Sequence, residues 1–129
     1  MKYPHDNHYD PPFPAVEVVL HNEGEDLHTV TLPALLDTGA DGSFVPLDHL
    51  QEILAIPLTD GRVRSHWGEW RSVQLFVVEI ELKGLNLKFP NVFVVGDDVG
   101  DELILGRNFI NKIRMSLNGP ESFTDIRQQ

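Results

Sequence analysis

Leu35-Leu36-Asp37-Thr38-Gly39-Ala40-Asp41 is the stretch on which the fold turns, and Leu103-Ile104-Leu105-Gly106-Arg107-Asn108-Phe109-Ile110 answers it near the other end of the chain. In the first, a short apolar run ends on an aspartate. Gly39 lets the backbone turn tightly behind that carboxylate, and Thr38 brings a hydroxyl able to bond another backbone. Taken alone this reads equally as an ordinary turn built on Asp and Gly. A given tripeptide arises by chance in about 1–2% of chains this long. The second stretch is a buried apolar run, a glycine, then helical apolar spacing. The two together, in this order, say more than either alone.

Working outward, Val16, Val18 and Leu20 carry period-two alternation, the polar run 21–26 turns the chain, and 27–32 alternates again. This predicts a hairpin followed by a short strand at 34–36. After Pro46, Asp48 is placed to cap a helix over 48–54, with Gln51 three residues on and Leu50, Ile53 and Leu54 on one face, and Pro57 ends it. Val73, Leu75 and Val77 are in one phase and Val78, Ile80 and Leu82 in the other. Such a flip marks a bulge or a strand that serves two layers. Lys83-Gly84 turns into strands at 87–89 and 92–95. An acidic loop over 96–101, a strand at 103–106 and a two-turn helix over 107–113 follow. Met115–Leu117 and Ser122–Ile126 then form a last hairpin. Residues 1–13 lack periodicity and read as a flexible arm, leaving one domain over 14–129. The expected class is all-β with one or two short helices.

Composition narrows the function. The chain has 129 residues, room for one domain. Its 20 acidic and 10 basic side chains give a formal charge of −10, which argues against a nucleic-acid or anionic-membrane partner. Cysteine is absent, which removes disulfides, a thiol nucleophile and thiolate metal sites. No apolar run is long enough to span a membrane or to serve as a secretory leader, so a cytoplasmic location is expected. Asp97, Asp98, Asp101 and Glu102 lack the spacing of an EF-hand loop, so a solvated acidic loop is the simpler reading. His5 and His8 would hold metal only adventitiously. No H-E-x-x-H, G-x-S-x-G or P-loop occurs, and neither a metal nor a cofactor is expected.

With both motifs quoted, the chain resembles the retropepsin-like aspartic proteases, the single-domain family that includes the retroviral enzymes. The resemblance runs from about Ala15 to Leu117 and includes Met115-Ser116-Leu117-Asn118 as a last strand. It implies a closed β-barrel-type domain and an aspartic endopeptidase acting on peptide or protein substrates. One Asp-Thr-Gly per chain implies an active site completed on the two-fold axis of a homodimer. Asp37 of each subunit would be catalytic, with Thr38, Gly39, Ala40, Asp41 and Arg107 supporting it, and Asp41 paired with Arg107. A flap would lie over 64–71, with His66, Trp67 and Gly68 at its substrate-facing tip. Three features depart from the viral pattern: the flap holds one glycine, Ser43 stands where threonine is usual, and a helix at 48–54 is more like bacterial members. The flap favours a rival reading, a peptide-binding or dimerisation module with little or no activity. The intact Asp37-Thr38-Gly39-Ala40 favours the protease, since a scaffold has no physical need of that carboxylate.

Overall fold

The computed structural model of the chain describes residues 1–64 and 68–127. Its elements in chain order are β1 (Lys2–Pro4), β2 (Ala15–His21), β3 (Leu32–Leu36), β4 (Ser43–Pro46), α1 (Leu47–Glu52), β5 (Ile56–Arg64), β6 (Trp70–Leu82), β7 (Leu87–Asp97), β8 (Ile104–Leu105), α2 (Arg107–Ile110), β9 (Arg114–Asn118) and β10 (Phe123–Arg127). The all-β class with two short helices is what the chain adopts. β2, β3, β8, β4, β7 and β6 pair in that order and β6 returns to β2, closing a six-stranded barrel. Closure leaves no strand of the ring with an open edge. β5 sits outside the ring on β6, and β1, β10 and β9 form a separate three-stranded sheet.

β6 explains the phase flip in its sequence. Its first half pairs with β5, from Trp70 opposite Arg64 to Val77 opposite Ile56. Its end pairs with β2, from Glu79 opposite His21 to Leu82 opposite Val18. The register on β7 breaks between Val78 and Ile80. The strand therefore both bulges and changes partner where Val77 gives way to Val78. Inside the barrel Val18, Leu20, Ala34, Val45, Val78, Ile80, Leu82 and Leu105 are fully buried. Each larger side chain contributes about 1.5–3 kcal/mol by leaving water. α2 plugs the barrel with Phe109, also fully buried, whose ring meets Phe89 edge-on at 5.2 Å.

Several sequence expectations are corrected. Residues 1–13 are not a free arm. Tyr3 is 3% exposed and donates its hydroxyl to the Lys83 carbonyl, while β1 pairs with β10 and the backbones of Asp6 and Phe13 bond each other. A lone buried aromatic leaves no periodic trace. Residues 27–31 add only a bridge from His28 to His21, because β2 spends its partner edge on β3, with Ala15 opposite Leu35. The strands expected at 87–89 and 92–95 are one, β7, which passes Pro90 with Asn91 at φ 57°. Asp48 is not a cap: α1 starts directly after Pro46, which has no capping side chain, and Asp48 lies in the first turn, where a negative charge suits the helix dipole. Pro57 lies in β5, an edge strand that tolerates a missing N–H. α2 covers 107–110 rather than 107–113.

Buried Asn22 fastens the α1 exit to the β2 turn. Its amide donates to the carbonyls of Ile53 (2.9 Å) and Leu54 (2.8 Å), and its oxygen accepts from the N–H groups of Gly24 and Glu25. Asn22→Ala strands these groups, so stability should fall by about 2–3 kcal/mol, seen as a Tm lower by several degrees. An unchanged Tm would show the turn to be held by packing alone.

On the β2–β6 seam, His21 Nε2 lies 2.8 Å from Glu81 Oε1. The hydrogen bond from His21 lowers the Glu81 pKa below its ordinary carboxylate value. A carboxyl with a depressed folded pKa adds stability above its unfolded pKa, and that increment vanishes as pH falls through the folded one. Glu81→Gln should therefore lower Tm slightly at pH 7 and by less at strongly acid pH. An equal loss at both would assign the effect to packing.

Candidate active site

Asp37 is the first residue beyond β3, and its position is fixed by backbone on three sides. Its N–H donates to the Leu105 carbonyl (2.9 Å), while the preceding Leu36 and Leu35 donate to Pro14 and Leu103 (2.9 Å each). The bonds to Leu105 and Leu103 extend the parallel pairing of β3 with β8, in which Leu36 lies opposite Leu105, and the bond to Pro14 continues the antiparallel pairing of β3 with β2. Apolar Leu35 and Leu36 are buried, so the strand cannot slip without turning them to water. Immediately afterwards the chain turns: the Asp37 carbonyl accepts from Ala40 N–H (3.2 Å) and the Asp37 Oδ1 from Gly39 N–H (2.9 Å). Asp37 is half-buried, and Thr38 and Gly39 are exposed. A carboxylate oriented by its own loop and open to solvent can take up or release a proton at a bound water.

Gly106 is what brings the second motif beneath this loop. A Cβ placed on it would lie 2.1 Å from the Gly42 carbonyl oxygen and 2.8 Å from that of Ala40. Only a bare backbone fits there. The next two N–H groups then bond back, Arg107 to the Ala40 carbonyl (2.8 Å) and Asn108 to that of Asp41 (3.2 Å). Fully buried Ser43 completes the joint. Its Oγ donates to Asn108 Oδ1 (2.7 Å) and accepts from Gly106 N–H (3.0 Å), and Asn108 Nδ2 donates to the Phe93 carbonyl (2.8 Å). Sequence reading noted Ser43 as a mild replacement and missed this role. The signal was a hydroxyl residue just past the motif, which a buried loop needs if its polar groups are to be paired.

The Asp41–Arg107 ion pair expected from the resemblance is not formed. Arg107 donates from Nη1 to the Thr38 carbonyl (3.1 Å), and both Arg107 and Asp41 are exposed. Among the described residues no salt bridge joins them. The reason is physical: in water an exposed pair gains under about 1 kcal/mol, and a carbonyl at the loop offers the guanidinium a fixed acceptor. The backbones of the two residues are nonetheless adjacent, through the Arg107–Ala40 and Asn108–Asp41 bonds.

β5 and β6 form the arms of the hairpin expected to be the flap, in register from Gly61 opposite Val73 to Arg64 opposite Trp70. His66 and Trp67 lie outside the described residues. Gly68 follows with φ 84°, a left-handed conformation that suits glycine. Trp70 is 60% exposed with the Arg62 guanidinium 5.1 Å over its ring, so it is not part of the core. Where β6 passes the acidic loop, Arg71 Nη2 lies 3.5 Å from Asp98 Oδ1 beside a cleft of about 330 Å³ lined by Leu47, Val73, Gln74 and Val99. Of the histidines considered for metal, His5 bonds Thr124 and His8 bonds Asp6. Among the described residues no three His, Asp or Glu side chains are grouped to hold a metal ion.

The joint gives a contrast that one substitution type can test. Gly106→Ala should prevent the motif loops from meeting, with a loss of stability beyond the about 1–3 kcal/mol of ordinary overpacking and poor soluble yield. Gly42→Ala, whose Cβ would meet nothing within 4 Å, should fold normally. Equal Tm values for the two variants in thermal melts would contradict the close approach.

Comparison with known proteins follows this geometry. No curated protein matches the chain. Among solved structures, EIAV protease complexed with the inhibitor HBY-793 is similar, with 24% identity and a TM-score of 0.53 over 78% of this chain and 86% of that one. That likeness shows a shared fold. A family model described as aspartyl protease matches residues 17–109, which hold the Asp37 loop, the β5–β6 hairpin and the Gly106 joint, and the chain belongs to that aspartyl protease family.

Proposed function

We propose that the protein is an aspartic endopeptidase whose active site is shared by two copies of the chain, Asp37 coming from each. The observation that carries this reading is the half-buried Asp37 carboxylate, aimed by Gly39 N–H and open on its outer side. In one chain it stands without a second catalytic acid. Two such loops meeting on a two-fold axis would bring the carboxyls together, and two negative charges at contact favour sharing one proton. The ionised Asp37 would then take a proton from a water held between them. That water's oxygen attacks the peptide carbonyl while the protonated Asp37 hydrogen-bonds the carbonyl oxygen and stabilises its developing charge. Collapse of the tetrahedral species breaks the C–N bond, and the amine leaves with a proton from the pair. Thr38 would bond across the axis, exposed Gly39 would leave room for substrate backbone, and the β5–β6 hairpin would close over the peptide, excluding water.

Asp37→Asn keeps the volume and removes the ionisable group. It should abolish cleavage of a casein or peptide-library substrate while leaving circular dichroism and sedimentation unchanged. In the unaltered protein, cleavage across pH should follow a bell, since turnover needs one proton on the pair. Residual activity within tenfold of the unaltered protein would refute the assignment. A protein that binds the same peptides without cutting them at any pH would be the peptide-binding module instead.

A further inference from the structure

Charge is spread unevenly along the chain. Residues 61–72, around the turn of the β5–β6 hairpin, hold Arg62, Arg64 and Arg71 against one acid, Glu69. Their formal charge is +2, which leaves −12 on the rest of a chain whose total is −10. Both tryptophans of the protein, Trp67 and Trp70, fall in the same segment. The register sorts these residues by face. Trp70 lies opposite Arg64 and Ser72 opposite Arg62, so Arg62 and Trp70 share one face and Arg71 belongs to the other. Arg71 is spent within the chain, 3.5 Å from Asp98. Arg62 is not. Its guanidinium lies 5.1 Å over the Trp70 ring, and both side chains are exposed. Among the described residues no carboxylate forms an ion pair with it, not even Asp60 two residues earlier in β5.

We propose that Arg62, held on the Trp70 ring, is a docking point for a carboxylate side chain of the substrate, so that the protein selects peptides carrying Asp or Glu near the bond it cuts. This rests on the endopeptidase reading above and names its substrate class. Stacking on an aromatic face steadies the planar guanidinium and leaves the N–H groups at its rim free. Those groups match the two oxygens of a carboxylate. Charge complementarity selects the ligand. A peptide with a few acids is drawn to the +2 hairpin, a basic peptide to the −12 remainder, and a long polyanion such as a nucleic acid meets that remainder as well and is repelled by it.

Because both tryptophans lie in residues 61–72, tryptophan fluorescence reports on this hairpin alone. The Asp37→Asn protein, titrated with a Glu-containing peptide and with its Gln counterpart, should change its emission and bind the Glu peptide tighter by about tenfold or more. Added salt should shrink that difference. Arg62→Ala should bring the two affinities together, and Arg62→Lys, which keeps the charge without the fork, should restore part of the gap. Lys88→Ala removes the same charge from an exposed position on β7 and should leave the gap as it was. Equal affinity for the Glu and Gln peptides would overturn the proposal without any Arg62 variant, and so would a short oligothymidylate that binds tighter than the Glu peptide. The two readings separate on a peptide library. An unaltered protein that cleaves with no acidic preference, matched by Arg62→Ala, loses the docking point and keeps its proposed chemistry. One that binds the Glu peptide through Arg62 and cleaves nothing keeps the docking point and loses the chemistry.

Discussion

The close approach of Gly106 to the Ala40–Gly42 backbone is the constraint on which the rest depends. Two chain segments far apart in sequence meet there with no side chain between them. Once they meet, the N–H groups of Asp37, Gly106, Arg107 and Asn108 all have acceptors across or beside the contact. Take away the contact and the donor of buried Gly106 loses its acceptor, as do those of half-buried Asp37 and Asn108, at about 1–3 kcal/mol for a donor left buried. The joint is therefore cooperative: its parts are worth having only together. It also explains why the catalytic candidate sits at a strand end. A strand fixes Asp37 from behind, and a turn frees it in front.

Barrel closure serves the same end from a distance. β3 and β8 are short, of five and two residues, and a two-residue strand has little stability of its own. It persists because β3 and β4 flank it and the ring beyond them is continuous. β6 is the long member that makes the ring continuous, and it must bulge to do so. The polar side chains that this geometry buries are Asn22, Thr29, Ser43 and Thr124, and no buried side-chain nitrogen or oxygen lacks a partner among the described residues.

Legibility followed the range of the forces involved. The Asp37 and Gly106 motifs were readable because close backbone approach demands glycine and leaves a residue-level mark. The β6 bulge was readable because side-chain period is 2 and a flip has nowhere else to come from. What sequence reading missed was set by tertiary contact. Tyr3 sits in no periodic pattern, yet it is buried and donates its hydroxyl to the Lys83 carbonyl. Leu27–Thr31 alternates but finds no free edge. The Asp41–Arg107 pairing was inferred from charge and resemblance, and a carbonyl at the right distance won the guanidinium. Ser43 looked like a conservative change, whereas its hydroxyl is the link between Asn108 and Gly106.

The site divides into a rigid floor and an unfinished roof. Below Asp37, every bond runs within one chain and is shielded by buried leucines. Above it lie exposed Thr38 and Gly39, and Arg107 has its guanidinium on a carbonyl rather than on a charge. A floor built this way keeps its shape without a partner, so pairing two chains would not have to order the loop first. That matters energetically, because ordering a residue costs about 1–2 kcal/mol and would be subtracted from a small interface. Association would then rest on what the second copy adds where the two loops meet. Two bodies of charge −10 repel, but at physiological salt the repulsion of surface charges fades within about 8 Å. Contacts between two Asp37 loops brought together would act inside that distance. On the two-chain reading proposed above, a chain with this floor would assemble by mass action as concentration rises, and catalysis would appear only in the assembled form.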